Sequence, residues 1–357
     1  MSVLDGKTVL VTGGTGSLGK VLVRRLLSGA NGSPRKVIVF SRDEAKQHDM
    51  RLEYLHRRVS TDEVIYDNFR QKLEFRIGDV RDYGDVCRAV RDADFVVNAA
   101  ALKQVPTCEY FPEQAVLTNC FGPMNICRAI HENNYPVEAV VAVSTDKACK
   151  PVNVMGMSKA IHERIFIASN VLSPSTRFVA VRYGNVLASR GSVIPLFHEQ
   201  LRLGCALTVT HADMTRFLLS LDQAVDLIFA ALADARPGET YIPICPSARV
   251  LDLANALAQS VGAEVVITGV RPGEKLHEVL ISEEEIRHVM RRGIYYVIRS
   301  VLPELSFMQE GSEMAGLERE YTSAEGVFDF EQTLSLLQSH GLLYDPNTAP
   351  RDSELLR

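Results

Sequence analysis

Three groups of residues have the types and spacing to do chemistry. The first is Gly13-Gly14-Thr15-Gly16-Ser17-Leu18-Gly19, a GxxGxxG run that follows the apolar stretch Thr8–Thr12 and opens a stripe of Leu18, Val21, Leu22 and Leu26. Glycine permits a tight turn and close backbone approach to a pyrophosphate, and a helix start offers amides and about half a positive charge to it. With a strand before it and a helix after it, the run predicts a dinucleotide loop and not a merely structural turn. The second group is Phe40-Ser41-Arg42, at the end of the next apolar run, where an NAD enzyme usually offers a carboxylate to the ribose. A hydroxyl and a guanidinium suit the 2′-phosphate of NADP instead; the alternative is that Asp43 caps a helix beside a solvated arginine. The third group, Ser144-Thr145-Asp146-Lys147, ends the fifth apolar run, where chemistry is expected in an open α/β sheet. Adjacent Asp and Lys are common on any surface, so their placement, and not the pair itself, suggests an acid and a base. Free lysine has a pKa near ~10.4, and neutralising it at pH 7 costs roughly 4.6 kcal/mol unless a cationic nicotinamide and desolvation depress that pKa.

Two smaller signals lie between these groups. Gly78-Asp79-Val80 follows the third run and sets Asp79 and Val80 beside an adenine, while Asn98-Ala99-Ala100-Ala101 gives small residues beside a cofactor. Either segment could equally be ordinary loop chemistry.

The elements that must position these residues alternate regularly. Strands are expected at Thr8–Thr12, Lys36–Phe40, Leu73–Ile77, Asp94–Asn98, Val137–Ser144 and Phe178–Tyr183, without the in/out alternation of a half-exposed sheet. Helices are expected at Ser17–Ser28, Asp43–Arg58, Tyr83–Arg91, Pro112–Asn133 and Asn153–Asn170. Repeated βα units make a parallel, doubly wound α/β sheet with a crevice at the strand C-termini. The pattern changes near residue 184 to helices at Asp222–Ala233 and Leu251–Val261, a strand at Val265–Ile267 and a polar stretch from Pro303. The expected division is a Rossmann domain over 1–181 and a smaller α/β substrate-binding lobe over 182–357 that ends in an irregular tail.

Bulk properties narrow the partners. A 46% apolar content can fill both cores, and a formal net charge of −5 with scattered basic residues gives no footprint for nucleic acid or a membrane surface. Seven cysteines show neither CxxC nor zinc-site spacing, which suits reduced thiols in the cytoplasm. His162 and His198 sit in helical surroundings and read as structural, and no metal-ligand constellation stands out. The start MSVLDGKTVLVTGG has no signal-peptide pattern, and no long apolar span follows.

Together GGTGSLG, GDVRD, NAAALKQVP, STDKACKPVNVMGMSKA, RYGNVLASRGSVIPLF, DMTRF and RPGEK resemble the UDP-N-acetylglucosamine 4,6-dehydratases of the extended short-chain dehydrogenase/reductase superfamily, from Val9 to about Leu280. The likeness is greatest to the 5-inverting subgroup that serves surface-glycan pathways, which also carries Met where most relatives have the catalytic Tyr. The resemblance implies NADP, a UDP-sugar substrate and a homo-oligomer, from dimer to hexamer. It implies oxidation at C4, loss of water across C5 and C6, and return of the same hydride to C6. It gives Asp146 the acid role at the C6 hydroxyl, Lys147 the base role at C5, and Lys159 a hold on the nicotinamide ribose. Thr145 would hydrogen-bond the C4 hydroxyl. Met155 stands four residues before Lys159, on the same helix face. Its thioether cannot carry the hydroxyl proton that Tyr normally takes, which leaves open how that proton departs.

On the substrate side, Ser189-Arg190-Gly191-Ser192-Val193 offers amides and a guanidinium for phosphates or uracil. Asn185, Arg216, Arg271 and Glu274 resemble the family's ligand contacts, although such residues by themselves more often form surface ion pairs. Lys103 and Pro106 are expected to border the sugar, and Lys103 the cofactor as well. Competing readings are a sugar-nucleotide 4-epimerase, a 5,6-dehydratase and a nonenzymatic NADP-sensing protein. Loss of Tyr speaks against the epimerase, and retention of Asp146-Lys147 and RPGEK speaks against the sensor.

Overall fold

Alternating β-branched and helix-period runs build one large sheet with helices on both faces. The computed structural model describes residues 2–56, 69–187, 189, 191–306 and 317–345. Strands β1 (Thr8–Thr12), β2 (Lys36–Ser41), β3 (Leu73–Ile77), β4 (Phe95–Asn98), β5 (Ala139–Val143) and β6 (Arg177–Val181) run parallel in the order β3-β2-β1-β4-β5-β6. Between them come α1 (Ser17–Leu27), α2 (Glu44–His56), α3 (Tyr83–Val90), α4 (Val105–Tyr110), α5 (Pro112–Val116), α6 (Gly122–Asn133) and α7 (Val154–Leu172). This is the expected Rossmann arrangement, and the order reverses between β1 and β4, which opens a crevice at the strand C-termini. Val9 and Val11 pack with Leu22 and Leu26 on one face, and Leu10 packs with Ile38, Val96 and Val140 on the other. Burial on both faces explains why these strands read as unbroken apolar runs.

Two expectations for the helices are modified. Arg58, the expected end of the second helix, lies outside the described residues. The single helix expected over Pro112–Asn133 is widened by a π-helical turn, Leu117–Phe121, between α5 and α6. Pro123 has no N–H to give to the Asn119 carbonyl, and His162 Nδ1 lies 3.1 Å from that oxygen instead.

The second half of the chain continues with β7 (Asn185–Val186), α8 (Val193–Arg202), β8 (Leu207–Val209), β9 (Thr215–Leu219), α9 (Leu221–Asp234), β10 (Thr240–Pro243), β11 (Ser247–Arg249) and α10 (Val250–Gln259). Then follow β12 (Val265–Ile267), β13 (Val279–Ile281), β14 (Val289–Arg292), β15 (Tyr295–Ile298), α11 (Pro303–Ser306), β16 (Tyr321–Thr322), β17 (Val327–Phe328) and α12 (Phe330–Ser339). The expected boundary at residue 182 does not separate the packing. β10 joins the large sheet beside β6, β15 and β14 extend it antiparallel, and α9 packs on α1, where Arg25 pairs with Asp222 and Asp226.

The remaining elements form a smaller lobe around Phe197, Leu218, Leu253, Leu257 and Leu337. The tail expected to be irregular contains α12, which starts in a reciprocal capping box between Asp329 and Gln332 and buries Leu337. No described helix is long and apolar enough to cross a membrane.

Candidate active site

The crevice is a cavity of about 670 Å³ lined from the loops after β1, β2, β3, β4, β5 and β6. At its β1 end Gly13 has φ +66°, and a Cβ there would stand 2.8 Å from the Ala100 backbone nitrogen. A Cβ on Gly19 would lie 2.5 Å from Gly14 Cα, so the two glycines seat α1 tightly against the turn. No side chain caps α1 at Gly16. Thr15, Gly16, Ser17, Leu18, Val80, Ala99 and Ala100 all line the cavity, as do Lys103 and Pro106.

Ser41 and Arg42 line it too, at the end of β2. Arg42 is largely exposed, 3.8 Å from an Asp79 oxygen that Arg81 holds more closely, at 2.6 Å. Burial alone would raise the Asp79 pKa; the hydrogen bonds from Arg81 reverse this and leave it below the usual carboxylate range. Asp43 caps α2, its Oδ1 accepting from the Lys46 amide at 3.0 Å. That helix-capping alternative therefore holds for Asp43, while Arg42 keeps its place on the cavity wall. Lys46, which sequence reasoning passed over, lines the same corner.

The acid–base segment is fixed by the chain that follows β6. Asp146 N donates to Tyr183 O at 3.0 Å, and Thr145 Oγ1 donates to Asp146 Oδ1 at 2.8 Å. Asp146 is fully buried, with Oδ2 unpartnered. Lys147 Nζ lies 3.0 Å from Asp146 Oδ1 and 3.1 Å from Glu278 Oε1. Desolvation works against the charge on Lys147, but the carboxylates of Asp146 and Glu278 more than offset it and hold the ammonium pKa above its ordinary value. Burial between these carboxylates therefore does not by itself depress this lysine.

On the helix packed against the Lys147 turn, Met155 is buried with Cys108 and Ala115, an apolar setting that suits a thioether. One turn on, Lys159 Nζ donates to Val143 O at 2.6 Å. Desolvation lowers the Lys159 pKa to about 7, although Glu163 and Cys120 act to raise it. The depressed lysine is thus Lys159, and the strongly held one is Lys147.

A segment from the smaller lobe clamps this region. Lys275 Nζ donates to Cys149 O at 2.7 Å, and Asn153, the cap of α7, donates to Gly273 O at 2.9 Å. Gly156 makes the fit possible, because a Cβ there would stand 2.3 Å from Lys147 O. We expect Gly156→Ala to displace the Lys147 turn and lower turnover by about 10- to 10²-fold while cofactor retention persists. Steady-state kinetics beside a cofactor titration checks this, and unchanged turnover would count against the close-approach argument.

Asn185 and Ser192 line the cavity, and Asn185 Oδ1 and Ser192 Oγ are buried without partners, as is Thr118 Oγ1. Arg190 lies outside the described residues. Val193 begins α8, and neither it nor Arg216, Arg271 or Glu274 is among the cavity-lining residues. Arg216 is buried behind the site, donating to Thr215 O at 2.7 Å and standing 3.9 Å from both Glu274 and Glu278. Both histidines are structural: His162 is fully buried against Phe166, and His198 Nε2 lies 2.9 Å from Leu342 O. The main omission was Glu278, just beyond RPGEK; nothing in local spacing marks it as a partner of Lys147.

These residues fit a nicotinamide dinucleotide followed by a polar ligand. The glycine turn meets an uncapped helix start at one end of the cavity, and orphaned polar atoms remain around its middle. The profile of a family described as polysaccharide biosynthesis protein matches residues 9–300. A curated relative, UDP-glucose 4-epimerase of Rickettsia typhi (strain ATCC VR-144 / Wilmington), is 41% identical over 325 residues, covering 89% of this chain and 91% of its own. The solved structure of Pen from Bacillus thuringiensis is similar, with a TM-score of 0.84 at 32% identity over 95% of this chain and 99% of its own. So is DesIV, a dTDP-glucose 4,6-dehydratase from Streptomyces venezuelae with NAD and TYD bound, with a TM-score of 0.64 at 25% identity over 75% of this chain and 86% of its own.

Proposed function

The chain belongs to the polysaccharide biosynthesis protein family, and we propose that within it this protein is an NADP-dependent 4,6-dehydratase of a UDP-N-acetylhexosamine, with UDP-N-acetylglucosamine as substrate and inversion at C5. The product is a 4-keto-6-deoxy sugar nucleotide for surface glycans. The observation that carries this reading is the pairing of Asp146 and Lys147 on the cavity wall at the end of β5, in a cavity that a buried Met155 also lines. When bound, the nicotinamide supplies oxidation at C4 and reduction at C6. Gly13, Gly16, Ser17 and Gly19 hold the pyrophosphate, Lys159 the nicotinamide ribose, and Ser192 and Asn185 the substrate.

The residues divide the proton work. Thr145 orients the C4 hydroxyl and donates to Asp146 Oδ1, so the hydroxyl proton released on oxidation passes through Thr145 to that carboxylate. Lys147 takes the C5 proton, which a C4 carbonyl makes acidic, and Asp146 gives a proton to the departing C6 hydroxyl. The relative named UDP-glucose 4-epimerase favours a second reading, reversible inversion at C4. Mass spectrometry and proton NMR of a reaction with UDP-N-acetylglucosamine separate the two: dehydration removes one water, and epimerisation leaves the mass unchanged. A product of unchanged mass with inverted C4 would replace the dehydratase reading.

Preference for NADP rests on Ser41 and Arg42, with Lys46 beside them. Arg42→Ala is expected to narrow the NADP-over-NAD preference by about tenfold, the value of one exposed charge-assisted contact. Equal affinity of the parent for both cofactors, read by titration, would remove the basis for this assignment. The protein is further proposed to act in the cytoplasm as a homo-oligomer. The adjacent helices α6 and α7 leave Met124, Met157 and Ile161 exposed for a second copy.

A further inference from the structure

Glu278 sits where a proton from Lys147 can go. It precedes β13 in the smaller lobe, its backbone N–H donates to Ser323 Oγ at 2.9 Å, and its carboxylate reaches Lys147, which lines the cavity. The side chain is 2% exposed. One oxygen, Oε1, faces Lys147 Nζ at 3.1 Å, and the other, Oε2, is buried without a partner.

Resting on the dehydratase reading, we propose that Glu278 is the positioning residue that activates Lys147 by accepting its proton within the buried pair. An Nζ–H bond of Lys147 breaks and an O–H bond forms on Glu278, leaving a neutral amine beside a carboxylic acid. The amine lone pair then takes the C5 proton; the C5–H bond breaks, its electrons pass into the C4 carbonyl, and Lys147 is an ammonium again. The pair then holds one proton more than at rest; Glu278 releases it to solvent, which restores the ion pair, while C5 takes its new proton on the opposite face, so the base is prepared before any proton leaves the pair.

The charged neighbours are Asp146, on the other side of the Lys147 ammonium, Arg216 at 3.9 Å from Glu278, and Glu274 at 3.9 Å from Arg216. The other titratable groups packed around this region are His277, 2.8 Å from Thr215 Oγ1, Tyr321, hydrogen-bonded to Cys245, and Cys245, whose thiol burial pushes up to about 12. Internal transfer predicts a C5 exchange rate nearly flat with pH around neutrality. With Glu278 replaced, the remaining carboxylate, Asp146, holds the proton meant for the C6 hydroxyl, so Lys147 must give its proton to solvent, and the rate should rise about tenfold per pH unit while Lys147 remains mostly charged.

The test measures deuterium uptake at C5 of UDP-N-acetylglucosamine against pH in the parent, Glu278→Gln and Glu278→Asp. Gln keeps an oxygen near Lys147 but cannot take a proton. Expected for Glu278→Gln are an exchange rate about 10²-fold lower at pH 7, a rate that climbs with pH, and unchanged cofactor retention; Glu278→Asp should recover part of the flat profile. A flat profile at the parental rate in Glu278→Gln overturns the proposal, as does a slow Gln variant whose profile stays flat. If Glu278→Gln does not fold, Glu278→Asp decides: a parental rate that climbs with pH overturns it. A parent that neither exchanges C5 nor loses water overturns the dehydratase reading itself, and with it the role of Glu278.

Discussion

Lys147→Ala is expected to lower dehydration by about 10²–10⁴-fold and to abolish exchange of the C5 proton with solvent deuterium, while nucleotide-sugar binding persists. The lysine lines the cavity and is held between two carboxylates, 3.0 Å from Asp146 and 3.1 Å from Glu278. Removing the amine removes the base, but it leaves the glycine turn, Asn185 and Ser192 in place. Asp146→Asn should act at a later step. The amide can still accept from Thr145 but cannot protonate the C6 hydroxyl, so C5 exchange should continue while loss of water slows by about 10²–10⁴-fold. Deuterium uptake and mass loss, followed together in both variants, separate the two roles. Near-parental exchange and dehydration in Lys147→Ala would show that another group is the base.

Arg182→Met is expected to destabilise the fold by about 3–5 kcal/mol, the cost of leaving a buried charge without its partner. Arg182 is 3% exposed, and its guanidinium donates to Glu163 at 2.7 and 3.0 Å, to Glu285 at 2.9 Å and to Leu280 O at 2.8 Å. It joins α7 to the segment after β13. Ser144 also donates to Glu163, so the same network supports the end of β5. Burial alone would raise the Glu285 pKa, and Arg182 more than reverses this, holding it below the ordinary range. A depressed carboxylate stabilises the fold above its unfolded pKa and loses that contribution as pH falls through the folded value. The deficit of Arg182→Met should therefore be full at neutral pH and shrink in acid, where Glu285, no longer held by Arg182, can take a proton. Urea unfolding at several pH values measures this, and a midpoint equal to the parent's at neutral pH would contradict it.

Much of the cofactor end was legible in the sequence. Turn glycines, an apolar strand before them and a helix stripe after them are local features, and the structure gives each its expected form, down to the positive φ of Gly13. The six parallel strands were legible for a related reason: both faces are buried, so their apolar runs are continuous. Most strands of the smaller lobe were not, because strands of two to five residues are too short to show a period. The α12 helix was overlooked although its Asp329 and Gln332 carry a capping pattern.

The chemistry was divided in the same way. Sequence alone placed Asp146 and Lys147 at the end of a central strand and marked Met155 as unable to carry a proton. Only the tertiary structure showed that Glu278 returns to Lys147, that Arg216 stands behind the site, and that Asn153 and Lys275 tie the smaller lobe to the acid–base turn. It also showed that two carboxylates hold Lys147 above its ordinary value despite its burial, and that burial lowers Lys159. The physical reason is that a pKa depends on the charges and solvent around a group, and those are set by segments far apart in the chain, whereas periodicity and turn chemistry are written in neighbouring residues.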